Sequence, residues 1–134
     1  MKKAHATIAF DFDETLYNET ENGYVPNKAV LKLLSDLHKE GHSVMIVTAR
    51  HEPGTEPNSR FYQKVAKGLL PRVDLFVDKH IPFDIAVYYT NLELKAQKLV
   101  ALGVDILIDD REIERNAAHN QGITTYDPRF IEVL

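Results

Sequence analysis

The feature that most constrains this fold is a repeated pattern. Short apolar runs each stop on polar or charged residues and then give way to helical periodicity. Thr7-Ile8-Ala9-Phe10 runs into Asp11-Phe12-Asp13, Val44-Met45-Ile46-Val47 into Thr48-Ala49-Arg50, and Val104 to Ile108 into Asp109-Asp110. Runs this short, without alternation, read as strands buried on both faces. Between them, Pro26-Asn27 opens a helix whose Val30, Leu31, Leu34 and Leu37 share a face, and Gly41 closes it. Asn58-Ser59 is expected to cap a second helix reaching about Leu70, where Pro71 stops it. Leu92 to Leu102 and Glu112 to Asn120 read as helices ended by Gly103 and Gly122. Val73 to Val77, Ile85 to Tyr89 and Ile123 to Tyr126 read as further strands. Strands alternating with helices predict an α/β, Rossmann-like domain with a mostly parallel sheet. In such a sheet the carboxyl ends of the strands share one edge, and ligands bind beyond it. The polar residues ending three separate runs should therefore converge.

Length and charge narrow the function. The chain has 134 residues, enough for one core spanning 1–134 and too few for two. A formal net charge of −4 provides no global basic field for nucleic acid or membrane. With no cysteine, thiolate catalysis and cysteine-ligated zinc are excluded. Met1-Lys2-Lys3-Ala4-His5 is basic, but the apolar run behind it is too short for a signal peptide. No stretch approaches the roughly 20 apolar residues that span a bilayer. A cytoplasmic protein without a membrane partner is the expectation.

Asp11 and Asp13 are two apart on an extended chain and so face the same way. Asp109 and Asp110 add carboxylates from a second strand end. Such a cluster of hard oxygen donors repels itself unless a cation intervenes, and Mg²⁺ suits carboxylates, water and phosphate oxygens. The six histidines form no ligand cluster; His38 and His42 bracket Gly41 at a helix end, and His51 reads as a loop residue.

These segments resemble the haloacid dehalogenase superfamily of phosphohydrolases. Ile8 to Thr15 matches an apolar strand followed by Asp-x-Asp-x-Thr. Val44 to Thr48 matches an apolar strand ending in Thr or Ser. Lys95 matches a lysine ahead of the last motif, with Lys98 and Lys79 as alternatives, and Ile106 to Asp110 matches a strand ending in paired acids. The resemblance implies that Asp11 attacks phosphorus to form an aspartyl-phosphate. It also implies that Asp13 gives a proton to the leaving oxygen and later takes one from water. Thr48 and Lys95 are then expected to bind phosphate oxygens. Mg²⁺ is expected on the carboxylate of Asp11, the backbone carbonyl of Asp13 and a carboxylate of Asp109, with Asp110 reached through water.

Against this stand plainer readings. Strand-end aspartates commonly cap turns and helices, and lysines on helices are commonly solvated. Arg50 and Arg111 flank motif residues, and each either binds substrate or pairs with a local carboxylate. Tyr17 and Tyr24 either rim the site or pack.

Members of that superfamily often carry an inserted cap. Leu16 to Val25 is long enough only for a flap, and His51 to Tyr89 is taken up by core elements, so no cap domain is expected. Thr48-Ala49-Arg50 and Ile108-Asp109-Asp110-Arg111 are similar to the 3′-phosphatase domains of polynucleotide kinases. Their kinase half has no counterpart here. Asp13-Glu14-Thr15-Leu16 also resembles phosphatases that act on polymerase tails, and short cytosolic nucleotidases are a third neighbour. The expected substrate is a phosphomonoester: a nucleotide, a nucleic-acid 3′ end, a small metabolite or a phosphoprotein. Transfer to an alcohol in place of water, a non-catalytic phosphate-binding domain on the same fold, and a homo-oligomer remain open at this level.

Overall fold

The computed structural model describes residues 5–133; the basic stretch Met1 to Ala4 lies outside them. Five strands form one sheet: β1 (Thr7–Phe10), β4 (Ser43–Thr48), β5 (Ala86–Tyr89), β6 (Ile106–Ile108) and β7 (Thr124–Tyr126), in the order β5-β4-β1-β6-β7. Every pairing is parallel. β1 is central, with Phe10 beside Ile46 on one flank and Ile108 on the other. This register brings the polar ends of β1, β4 and β6 to one edge at one level.

Burial follows the strand period of two. Ile8 and Phe10 join a core on one face with Ile46, Ile108 and the helix α1 (Lys28–Lys39), which contributes Val30 and Leu34. Ala9 points the other way, into a core with Val47, Leu107, Leu99 and Ala118. The last two come from α4 (Ala96–Ala101) and α5 (Glu112–His119). Both sheet faces are covered, so apolar residues fill both registers of β1, as the run without alternation implied.

The flap is a β-hairpin, β2 (Tyr17–Thr20) against β3 (Gly23–Pro26). The turn Glu21-Asn22 leads into Gly23 at φ 145°. Nothing else is inserted between β1 and α1, and among the described residues no cap domain occurs.

Several segments differ from the sequence reading. Val73 to Val77 is not a strand; it lies in α3 (Val73–His80). A strand would bury Val73, Leu75 and Val77 together, yet Leu75 is 56% exposed while Val73 and Phe76 are buried. The helical i, i+3 spacing satisfies the core, and Asp74 in the first turn with Lys79 and His80 in the last suits the helix dipole. The helix expected from Leu92 is shorter, because Asn91 and Leu92 take positive φ (53° and 69°) and the regular turns begin only after Lys95. The second helix, α2 (Arg60–Ala66), is capped by Ser59 as expected but ends before Gly68. A 3-10 segment, Pro128–Val133, follows β7. Among the described residues no helix is long and apolar enough to cross a membrane.

Candidate active site

Asp11 leaves the end of β1 with its backbone N–H bonded to the Ile108 carbonyl, so the chain stays in the sheet for one residue beyond the strand. Its carboxylate is almost fully buried and fully engaged. Lys95 Nζ lies 2.6 Å from Oδ1, and the Thr15 hydroxyl donates to Oδ2 at 3.0 Å. The same Lys95 Nζ lies 2.6 Å from Asp109 Oδ2. Lys95 is 1% exposed and the first residue ahead of α4; its own N–H donates to the buried Glu114 carboxylate of α5 at 2.9 Å. This brings Lys95 into contact with both Asp11 and Asp109. Lys98, by contrast, lies over the Tyr88 ring, and Lys79 sits in the last turn of α3.

Asp11, Asp109 and Asp110 present carboxylate oxygens within 4.8 Å of one another. Asp109 is held from behind: its Oδ1 accepts from the Arg111 N–H at 3.0 Å, and its carbonyl accepts from Arg115 at 2.9 Å. Asp110 Oδ1 is buried and has no hydrogen-bond partner. Burial pushes the Asp11 carboxyl up to about 7, with Lys95 opposing and Asp110 adding. Burial likewise pushes Asp109 to about 6, with the Asp11 charge adding and Lys95 opposing. Burial works against the Lys95 ammonium, but Asp11 and then Asp109 outweigh it and hold its pKa above the ordinary value. The cluster is therefore short of positive charge with only Lys95 among its acids. An orphaned buried carboxylate oxygen beside two further hard donors is the environment a divalent cation fits.

The carboxylate of Asp13 turns away from this group. Arg50 Nη2 and Nε reach its Oδ1 and Oδ2 at 2.8 and 3.1 Å, and the Tyr17 hydroxyl donates to Oδ1. The Arg50 guanidinium is 5% exposed, donates to the Pro71 carbonyl at 2.7 Å and lies between the Phe12 and Phe61 rings. Of the two roles open to Arg50, the structure places it on a local carboxylate. Between Asp13 and Thr15 the chain turns sharply, with Glu14 at φ 60°, a conformation non-glycine residues seldom adopt away from constrained sites. Thr48 is fully buried at the end of β4, its hydroxyl accepting from the Arg50 N–H at 3.2 Å. Arg111 is exposed at the rim. Asp11, Asp13, Lys95, Asp110 and Arg111 together line a cleft of about 350 Å³.

Sequence reasoning placed Tyr17 at the rim or in the packing, and the structure puts its hydroxyl on Asp13; it missed three supports: Thr15 on Asp11, Glu114 behind Lys95 and Arg115 behind Asp109. Thr15 alone carried a signal, as the last position of the first motif. The others depend on which helix packs where.

Residues 8–66 match the family model of haloacid dehalogenase-like hydrolases. A D,D-heptose 1.7-bisphosphate phosphatase from B. bronchiseptica, solved with magnesium and phosphate, is similar in structure. It aligns with a TM-score of 0.57 over 91% of this chain and 79% of that one, at 12% identity. The fold is that of the haloacid dehalogenase-like hydrolases. No curated protein sequence matches the chain.

Proposed function

We propose that this chain is a Mg²⁺-dependent phosphomonoester hydrolase in which Asp11 is the nucleophile. The observation that carries this reading is the Asp11 carboxylate. It is buried at the end of the central strand, oriented by Thr15 and Lys95, and lines a cleft together with Asp110, with Asp109 buried close behind. The family match over residues 8–66 and the fold shared with a phosphatase support it.

Asp11 Oδ1 or Oδ2 forms a bond to phosphorus while the ester oxygen leaves, and the phosphoryl group passes to the carboxylate. Lys95 carries positive charge to the place where phosphate oxygens gather, beside Asp11, and Thr48 at the end of β4 supplies a hydroxyl near the same edge. Asp13 hands a proton to the departing oxygen and takes one from the water that hydrolyses the aspartyl-phosphate. Arg50 and Tyr17 fix the direction of Asp13. Asp11, Asp109 and Asp110, with the Asp13 carbonyl, are the residues that would hold Mg²⁺. When bound, the ion neutralises phosphate charge and aligns the phosphoryl group.

Nucleotides and nucleic-acid 3′ ends are the substrates suggested by the motif details around Arg50 and Arg111. The reading is tested by p-nitrophenyl phosphate turnover with and without Mg²⁺, and by acid trapping of a phosphoenzyme. Asp11→Asn is nearly isosteric and should abolish both. A variant that kept wild-type turnover would falsify the assignment.

A further inference from the structure

Beside the catalytic cleft lies a second, larger groove of about 600 Å³ between the loop 51–59, α2 and the start of α3. The two are continuous: Arg50, His51, Pro57, Ser59 and Tyr62 line both. Arg50 is also the residue that holds Asp13. Asp13, the proton donor in the proposed reaction, therefore sits at the border of this groove, and a leaving group protonated there has the groove beside it.

The lining describes what that leaving group is. Its charges cancel: Arg50 and Arg72 are matched by Glu56 and Asp74. Each cation already faces a carboxylate. Arg50 is bound to Asp13, and Arg72 Nη2 lies 2.7 Å from Asp74 Oδ2. Glu56 turns inward to accept from the Gly54 N–H at 2.6 Å. The wall offers three rings, from His51, Tyr62 and Tyr89, with amide groups from Asn58 and Gln63. The Tyr62 hydroxyl is taken up by the His51 N–H at 2.8 Å, which fixes that ring. Flat rings with neutral hydrogen-bonding groups suit a planar, uncharged heterocycle, which stacks on an aromatic face.

We propose that the groove binds the leaving group of a nucleoside monophosphate, an uncharged alcohol bearing a stacked base, and that it discriminates against any second phosphate. This rests on the phosphatase reading and narrows it. Bisphosphates and 3′-phosphorylated oligonucleotides carry additional anions, which would have to compete with Asp13 and Asp74 for the groove's two arginines.

The test compares kcat/KM for a nucleoside monophosphate, glycerol phosphate, a nucleoside 3′,5′-bisphosphate and a 3′-phosphorylated hexanucleotide. The nucleoside monophosphate should exceed each of the others at least 10-fold. Titration of the same compounds into the Asp11→Asn protein reads the preference by binding, so it is decided even if turnover fails. Ala66 is exposed on the groove side of α2. Ala66→Trp should lower the ratio of nucleoside monophosphate to p-nitrophenyl phosphate kcat/KM at least 10-fold, and Ala66→Arg should raise the bisphosphate relative to the monophosphate several-fold. A bisphosphate or oligonucleotide bound or cleaved as well as the monophosphate overturns the proposal, as does a ratio unmoved in both Ala66 variants. Asp11-dependent hydrolysis with no preference refutes the groove alone, whereas loss of all Asp11-dependent hydrolysis refutes the phosphatase reading.

Discussion

Replacing Arg50 with Lys tests whether the clamp on Asp13 serves proton transfer. Arg50 reaches Asp13 through two nitrogens and Pro71 through a third. A lysine keeps the charge but has one nitrogen, so it loses the paired geometry and cannot hold Asp13 and the Pro71 carbonyl from the same positions. A charged hydrogen bond contributes about 1.5–3 kcal/mol, so losing one of them should destabilise the fold by about that amount. The chemical effect has its own ceiling. General acid catalysis contributes about 10²- to 10⁴-fold, and a misdirected Asp13 forfeits part of it, about 10- to 100-fold in kcat. That loss appears only where the leaving oxygen needs a proton. Alkyl and sugar phosphates should suffer it, whereas formation of the phosphoenzyme from p-nitrophenyl phosphate should fall by less than about 3-fold, because nitrophenolate leaves unaided. The assay is stopped-flow burst kinetics on both substrate types, with Asp13→Asn as the limiting case and Tyr17→Phe as a milder one. Equal losses on good and poor leaving groups would remove Arg50 from any role through Asp13 and leave it a core residue that pins Pro71.

Lys95→Met should cost about 3–5 kcal/mol, because it leaves the Asp11 and Asp109 carboxylates buried without their cation; thermal unfolding should show Mg²⁺ recovering more stability in the variant than in the wild type. Exhaustive chelation should abolish turnover, and Ca²⁺ should inhibit, since its larger coordination shell draws Asp11 out of line; full activity in chelator refutes the metal assignment. Without metal, stability should fall as pH rises from about 4 to 7. Asp11 and Asp109 have folded pKa values raised from 3.8 to about 7 and about 6, so the folded state holds protons the unfolded state has already released. Saturating Mg²⁺ should flatten or reverse that slope. Subtracting the Asp11→Asn profile isolates the effect from His80, whose lowered pKa acts in the opposite sense; a metal-free difference that rises with pH refutes it.

The parallel sheet and its polar edge were legible in the chain because both depend on local pattern. Short apolar runs without alternation, bounded by turn residues, read as buried strands, and each run names the residue at its end: Asp11, Thr48, Asp109. Where pattern was short and mixed, as at Val73 to Val77, a strand and a helix explain the same apolar residues equally well. Packing decided it, because burying Phe76 rather than Leu75 requires helical spacing. The choice of Lys95 over Lys98 and Lys79 was likewise undecidable by geometry along the chain, since only the docking of α4 against α5 brings one ammonium between Asp11 and Asp109. The partner of Asp13 shows the same limit. Arg50 lies 37 residues away, on a neighbouring strand's end, and no local signal distinguishes an arginine that meets substrate from one that orients an acid. Local pattern along the chain is enough to name the chemical groups at the strand ends. Which of them touch is set by strand register and helix docking, because these alone bring together groups far apart in the chain.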